Sequence, residues 1–200
     1  MADIGTVETG QGELKKLNNL VQFKNARPGR VVEIGQGAFT PLLLENTGFN
    51  YIGVDSDELS NRVLSQFAKN KDWVRSVDES IFHLDGDGVD ANEVWIGNFR
   101  GVIAENNDQT ARNLFEKADE MLAPGGEVVF LNTYDEVSDK VQENLSNILT
   151  QMGYEVRPID LETDEHPFVK GFREFEKRQP NIPNFGGKAP TPFGFIATKA

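Results

Sequence analysis

Short apolar runs rich in β-branched residues alternate along this chain with longer stretches in which apolar positions recur every three or four residues. The first pattern marks buried strands and the second amphipathic helices. Arg30-Val31-Val32-Glu33-Ile34 predicts one strand and Tyr51-Ile52-Gly53-Val54, ending at Asp55, the next. Trp73–Val77, Glu93–Ile96, Glu127–Leu131, Tyr154–Ile159 and Gly194–Thr198 continue the series. Between them, Leu59, Val63, Leu64 and Phe67 predict a helix for which Ser56 and Asp57 offer caps. Another helix spans Thr110–Leu122, with Ala111, Leu114, Phe115, Ala118, Met121 and Leu122 inward, before Ala123-Pro124-Gly125-Gly126 breaks it. A further helix carries Val137, Val141, Leu145, Ile148, Leu149 and Met152 and stops at Gly153. Upstream, Leu14, Leu17, Leu20, Val21 and Phe23 predict an amphipathic helix that ends before the Pro28-Gly29 turn.

Strands alternating with helices imply an α/β fold, a doubly wound and mostly parallel seven-stranded sheet with helices on both faces. At 200 residues the chain has room for one domain, predicted over 14–200 after a flexible N-terminus at 1–13. Residues 166–193 concentrate Pro, Phe and basic side chains and read as an insertion between the last two strands. Within it, Phe168–Arg178 predicts a short amphipathic helix, with Phe168, Phe172 and Phe175 on one side, that serves as a substrate lid or as outer support of the last strands.

Charge and composition narrow the partners. A net charge of −12 repels phosphate backbones and counts against a polynucleotide partner. The absence of cysteine removes disulfides, thiolate nucleophiles and thiolate-ligated metals, and no metal site is expected. Asp85-Gly86-Asp87-Gly88-Val89-Asp90 departs from the spacing of a calcium loop and reads as a solvated turn. No apolar run approaches the ~18 residues of a membrane span, and the N-terminus lacks the features of a signal peptide, which predicts a soluble, cytoplasmic protein.

The candidate chemistry begins at Gly35-Gln36-Gly37, directly after the first strand of the alternation. Glycines there let the backbone approach a ligand, and the next helix offers its free N–H groups. About 20 residues on, Asp55 ends the following strand, where an acidic side chain can take both hydroxyls of a ribose. Thr40 stands where a dinucleotide fingerprint would place its third glycine, and Glu33 would repel a pyrophosphate. The loop therefore favours a cationic, nucleoside-like ligand.

These residues resemble the class I S-adenosylmethionine-dependent methyltransferases. The likeness runs through Val32-Glu33-Ile34-Gly35-Gln36-Gly37-Ala38-Phe39, where Phe39 replaces a frequent third glycine, and through Tyr51-Ile52-Gly53-Val54-Asp55. It continues through Glu93-Val94-Trp95-Ile96-Gly97-Asn98-Phe99 and Met121-Leu122-Ala123-Pro124-Gly125-Gly126-Glu127-Val128-Val129-Phe130, and covers about residues 14–199. The resemblance implies a Rossmann-like methyltransferase fold and S-adenosylmethionine as cofactor. It further implies that Glu33 sits near the cofactor amino group and the Gly35–Gly37 loop, with Gln36, against its methionine part. Asp55, with Ser56 beside it, would meet the ribose, Asp78 with Glu79 the adenine, and Asn98 and Phe99 the sulfonium and acceptor.

Methyl transfer from a sulfonium is an in-line displacement in which positioning supplies much of the acceleration, so a general base is optional. His166 is the foremost candidate for one, with Tyr134 and Glu105 behind it, and Asn98 is the candidate for orienting the acceptor. The expected reaction is methylation of a small or medium-sized acceptor. The lack of cysteine excludes covalent attack on a pyrimidine, and Asn98-Phe99 lacks the Pro-Pro sequence of amino-methylating DNA enzymes. Two other classes compete: a catalytically degenerate methyltransferase-fold protein acting through protein contacts, and an NAD(P)-dependent reductase. The incomplete fingerprint and a missing Tyr-x-x-x-Lys pair weigh against the reductase.

Overall fold

A computed structural model describes residues 14–23, 27–35, 44–45, 48–97, 108–132, 139–178 and 193–199, with the backbone alone for Phe172 and 175–178. Expectations for residues 1–13 and for 179–192 of the insertion fall outside the described residues. In chain order the elements are β1 (Lys15–Lys16), α1 (Leu17–Leu20), β2 (Gly29–Ile34), β3 (Phe49–Asp55), α2 (Glu58–Ala68), β4 (Val74–Asp78) and a 3-10 turn (Ile81–His83). There follow β5 (Leu84–Asp85), β6 (Ala91–Gly97), α3 (Asp108–Met121), β7 (Leu122–Asn132), α4 (Asp139–Gln151), β8 (Tyr154–Pro158), α5 (Pro167–Arg178) and β9 (Phe193–Lys199).

Seven strands form one sheet in the order β4-β3-β2-β6-β7-β9-β8. The first five run parallel, and β9 lies antiparallel to both β7 and β8. Both faces are covered, so the central strands β2, β3, β6 and β7 carry long apolar runs, as buried parallel strands require. One core holds Ile34, Ile52, Val94 and Phe130 with the inward stripes of α3 and α4, Leu114, Phe115, Leu145 and Leu149 among them. The other holds Val31, Tyr51, Trp95 and Val129 with Leu64 of α2 and Phe168 and Val169 of α5. The burial of Phe168 and Val169 makes the first turn of α5 part of the core.

Three local expectations need correction. The N-terminal helix shrinks to the single turn of α1, because Lys15 and Lys16 pair with Leu84 and Asp85 and the Asn18 amide donates to the Gly88 carbonyl. Leu17 and Val21 stay buried, but Leu14 and Leu20 are each 48% exposed. In α2 the buried positions are Asn61 and Leu64, whereas Leu59 and Val63 face solvent. The Asn61 amide has bonds to make inside, and that demand rotates the helix away from its most apolar stripe. Finally, Pro124-Gly125-Gly126 does not separate helix from strand; it forms an irregularity within β7, whose pairing with β6 begins at Leu122 and shifts between Ala91 and Glu93.

Among the described residues no helix is long and apolar enough to cross a membrane.

Candidate functional site

The parallel strands β2, β3, β4 and β6 end on a common edge, the place where open α/β sheets bind ligands. Paired residues of parallel strands point to the same face. The register Glu33–Gly53–Ser76 and, one step further out, Asp55–Asp78 therefore stacks Glu33, Asp55 and Asp78 on one face at that edge. Gly35 follows β2 level with Asp55, and its N–H donates to the Val54 carbonyl at 3.0 Å.

Glycine at position 35 is a geometric necessity. Its φ of +75° lies in the left-handed region, and a Cβ there would stand 2.9 Å from the carbonyl oxygen of Gly97. Gly97, at the end of β6, is crowded differently: a Cβ would meet Phe168 at 3.6 Å, a Glu33 carboxylate oxygen at 3.7 Å and the Gly35 carbonyl at 3.8 Å. Two bare stretches of backbone thus form a floor, with the Glu33 carboxylate on one side and the Phe168 ring on the other.

Glu33 is only 2% exposed, and its Oε2 accepts a hydrogen bond from the Tyr51 hydroxyl. Burial, reinforced by the Glu33 charge, pushes the Tyr51 phenol well above its ordinary range, so it remains a donor. Asp55 bends the chain into α2 by accepting from the Asp57 N–H at 2.8 Å. Partial burial raises the Asp55 carboxyl above its usual value, and the nearby charges of Asp57 and Asp78 add to this, while the N–H groups of Asp57 and Ser56 oppose it. Ser56 itself lies exposed in the bend. Asp57 is the N-cap, accepting from the Ser60 N–H at 2.7 Å.

Asn61 holds the corner together. Its amide nitrogen donates to the Asp55 carbonyl at 2.7 Å, the Asp57 carbonyl at 3.0 Å and Asp78 Oδ1 at 3.0 Å, and its oxygen accepts from Ser76 at 2.9 Å. One buried side chain therefore fixes the ends of β3 and β4 and the start of α2. Asp55 Oδ1 is taken by the Asp57 N–H and Asp78 Oδ1 by the Asn61 amide. Glu79 is committed elsewhere: the Lys15 ammonium, with the His83 ring at 3.0 Å, holds its carboxyl down at about 2.

His166 does not join this edge. Its Nδ1 accepts from the Phe168 N–H at 3.2 Å, so Nε2 bears the proton and donates to Glu93 at 3.0 Å. The same Glu93 oxygen accepts from the Trp95 indole at 2.6 Å. Glu93 lies four residues before Gly97 on β6, about 13 Å along an extended strand. The Trp95 ring, fully buried, stacks on Phe168 at 4.6 Å and an interplanar angle of 16°. His166 thus anchors the start of α5 and sets Phe168 beside Gly97. Gln36, Gly37, Asn98, Phe99, Glu105 and Tyr134 lie outside the described residues.

Sequence reasoning assigned no role to Tyr51, Asn61 or Gly97. Gly97 had a signal, a glycine closing an otherwise apolar strand, but the other two depend on register and helix rotation.

The strand order and the single antiparallel strand inserted between β7 and β8 define this chain as having the class I S-adenosylmethionine-dependent methyltransferase fold. No family model and no curated protein matches it. Solved structures do. A SAM-dependent methyltransferase from Methanosarcina mazei superposes with a TM-score of 0.58 at 14% identity, over 91% of this chain and 95% of that one. The 16S rRNA methyltransferase KamB gives 0.59 at 13% identity, over 87% and 89%. The N-methyltransferase NodS from Bradyrhizobium japonicum gives 0.57 at 11% identity, over 87% and 86%.

Proposed function

We propose that this protein binds S-adenosylmethionine across the carboxyl ends of β2, β3 and β4 and transfers its methyl group to a small or medium-sized acceptor. The observation that carries the reading is the row in which bare backbone at Gly35 and Gly97 adjoins the paired carboxylates Asp55 and Asp78, with Glu33 one step beneath. The donor set suits the ligand. Carboxylate oxygens of Asp55 accept from ribose hydroxyls, Asp78 takes the exocyclic amine of adenine, and Glu33 offers negative charge to an ammonium. Glu79, paired with Lys15, is the weaker choice for the adenine.

Bound there, the cofactor supplies an electrophilic methyl group on a sulfonium. The chain contributes orientation: the glycine floor admits the ligand close to the backbone, and the Phe168 ring walls the Gly97 side and keeps water from it. Gln36, Gly37, Asn98 and Phe99 complete this assignment as further cofactor contacts, and Asn98, Tyr134 and His166 are the candidates for handling the acceptor. His166 would act from its anchoring position, through α5 rather than at the acceptor. Among the acceptor classes of similarly folded proteins, a net charge of −12 favours a small molecule over ribosomal RNA. A cytoplasmic setting accords with this.

Calorimetry with S-adenosylmethionine, S-adenosylhomocysteine and NADH tests the reading. Micromolar binding of the first two without the third is the expected result. Binding of none would favour a degenerate fold acting through protein contacts, and binding of NADH alone a reductase.

A further inference from the structure

Phe168 belongs to the packed core and to the candidate site at once. Its ring is 8% exposed and stacks on the fully buried Trp95 at 4.6 Å, while its far tip, Cζ, comes within 3.6 Å of where a Cβ on Gly97 would stand. The main chain of Phe168 is held as firmly as its ring. His166 Nδ1 accepts from the Phe168 N–H, His166 Nε2 donates to Glu93, and the Trp95 indole donates to the same Glu93 oxygen. Val169, next along α5, is fully buried. A ring held through its backbone by His166 and on its face by Trp95 is a fixed wall, because swinging it aside would unpack Trp95 and the start of α5 together.

The strand order decides which part of a ligand would meet that wall. Asp78 ends β4, Asp55 ends β3, Gly35 follows β2 and Gly97 ends β6, and those four strands lie side by side in that order. Neighbouring strands are about 4.8 Å apart, so Gly97 stands two spacings, about 10 Å, from Asp55. A nucleoside held at Asp55 and Asp78 that extends across β2 therefore brings its 5′ substituent over Gly35 to Gly97 and Phe168.

We infer that Phe168 is a specificity-determining residue, whose ring sets the width of the site above Gly97 and excludes nucleosides with a 5′ substituent bulkier than an unbranched chain. This rests on the proposed cofactor reading and deepens it. Of the three groups nearest that space among the described residues, the Gly35 carbonyl is main chain and the Glu33 carboxylate holds the Tyr51 hydroxyl. Phe168 is the third, and it acts by bulk alone. Exclusion by a fixed apolar ring is steric, so it burdens the bulky ligand and leaves the slender one unaffected.

The test is titration calorimetry with 5′-methylthioadenosine, whose 5′ group ends in one methyl, and 5′-benzylthioadenosine, whose 5′ group ends in a phenyl ring. The unaltered chain, Phe168→Ala and Phe168→Leu are compared, with thermal unfolding recorded for each. The unaltered protein should bind the methyl compound about tenfold or more tighter than the benzyl compound. Phe168→Ala should bind the benzyl compound about tenfold tighter than the unaltered protein does, while the methyl compound stays within about threefold, and Phe168→Leu should fall between. A damaged fold cannot produce a gain of affinity, and Phe168→Leu keeps an apolar side chain against Trp95 should the Ala variant fail to fold. Equal binding of the two compounds by the unaltered protein, no gain for the benzyl compound in either variant, or collapse of both variants overturns the inference. Each of these outcomes makes Phe168 a core residue alone and leaves the cofactor reading standing. Failure of the unaltered protein to bind methylthioadenosine and S-adenosylhomocysteine overturns the cofactor reading itself, and this inference with it.

Discussion

Asp55 and Asp78 stand side by side as register partners at the ends of β3 and β4, and the Asn61 side chain bonds to the main chain of one and the carboxylate of the other. Two like charges at this separation repel, so the arrangement costs stability unless something cationic or hydrogen-bond-donating is placed between them.

Asp55 carries a cost of its own, to which the Asp78 charge adds a smaller part. Its folded-state value is raised, chiefly by burial, so protonation is easier in the native protein than in the unfolded chain. The favourable contribution is complete below the ordinary aspartate range and is lost as pH rises through the raised value, leaving Asp55 unfavourable at neutral pH. Asp55→Asn keeps an acceptor for the Asp57 N–H and removes the charge. It should unfold at a slightly higher temperature at pH 7 yet bind S-adenosylmethionine more weakly by about 1–3 kcal/mol, the worth of hydrogen bonds to a charged group. Scanning calorimetry and titration calorimetry read the two effects. Unchanged affinity with reduced stability would make Asp55 a turn residue only.

Glu79 behaves in the opposite sense. With its carboxyl held at about 2 by Lys15 and then His83, its contribution is present above the ordinary glutamate range and is lost as pH falls from about 4.5 toward 2. Lys15 is 61% exposed on its side chain, so the pair is worth at most about 1 kcal/mol. Lys15→Ala should return the Glu79 carboxyl toward its ordinary value in a carbon-detected NMR titration and flatten stability loss between pH 4.5 and 2. Cofactor affinity should not change, because Glu79 faces the N-terminal segment. A clear loss of affinity would return Glu79 to the adenine pocket.

The order of strands and helices was legible because the central strands are apolar on both faces and several helix ends carry Gly, Pro or a capping Asp. The candidate edge was legible for the same reason: Glu33, Gly35 and Asp55 sit at strand ends that composition already marks. What could not be read depends on contacts between distant segments. Two-residue strands such as Lys15–Lys16 have no hydrophobic signature, Asn61 is buried for its hydrogen bonds alone, and the Tyr51–Glu33 contact follows from strand register. His166 was legible as a histidine but not as a buried one, since Glu93 lies 73 residues away.

His166 is therefore expected to act through position. His166→Ala leaves the Phe168 N–H without its partner and Glu93 with the Trp95 indole in place of two donors, and should cost about 1–3 kcal/mol of stability. His166→Gln, whose amide can reach Glu93 in place of Nε2, should recover much of that. With an acceptor in hand, turnover should survive in the Gln variant wherever the protein is folded. Abolished turnover at unchanged stability and cofactor affinity would instead make the imidazole a general base.

Gly35 and Gly97 allow the sharpest separation of folding from binding. Gly35→Ala forces a side chain into a left-handed conformation and against the Gly97 carbonyl, and should destabilise the fold by more than about 1 kcal/mol. Gly97→Ala meets only contacts of 3.6 Å and beyond, so its methyl group fits the empty protein and should leave the unfolding temperature unchanged or slightly raised. The same methyl occupies the space between Phe168 and Glu33. If the ligand lies on that floor, Gly97→Ala should weaken S-adenosylhomocysteine by about tenfold or more without any loss of stability. A variant as stable as the unaltered protein and equally tight for the ligand would move the methionine end of the cofactor off β6, and with it the roles given to Glu33 and Phe168.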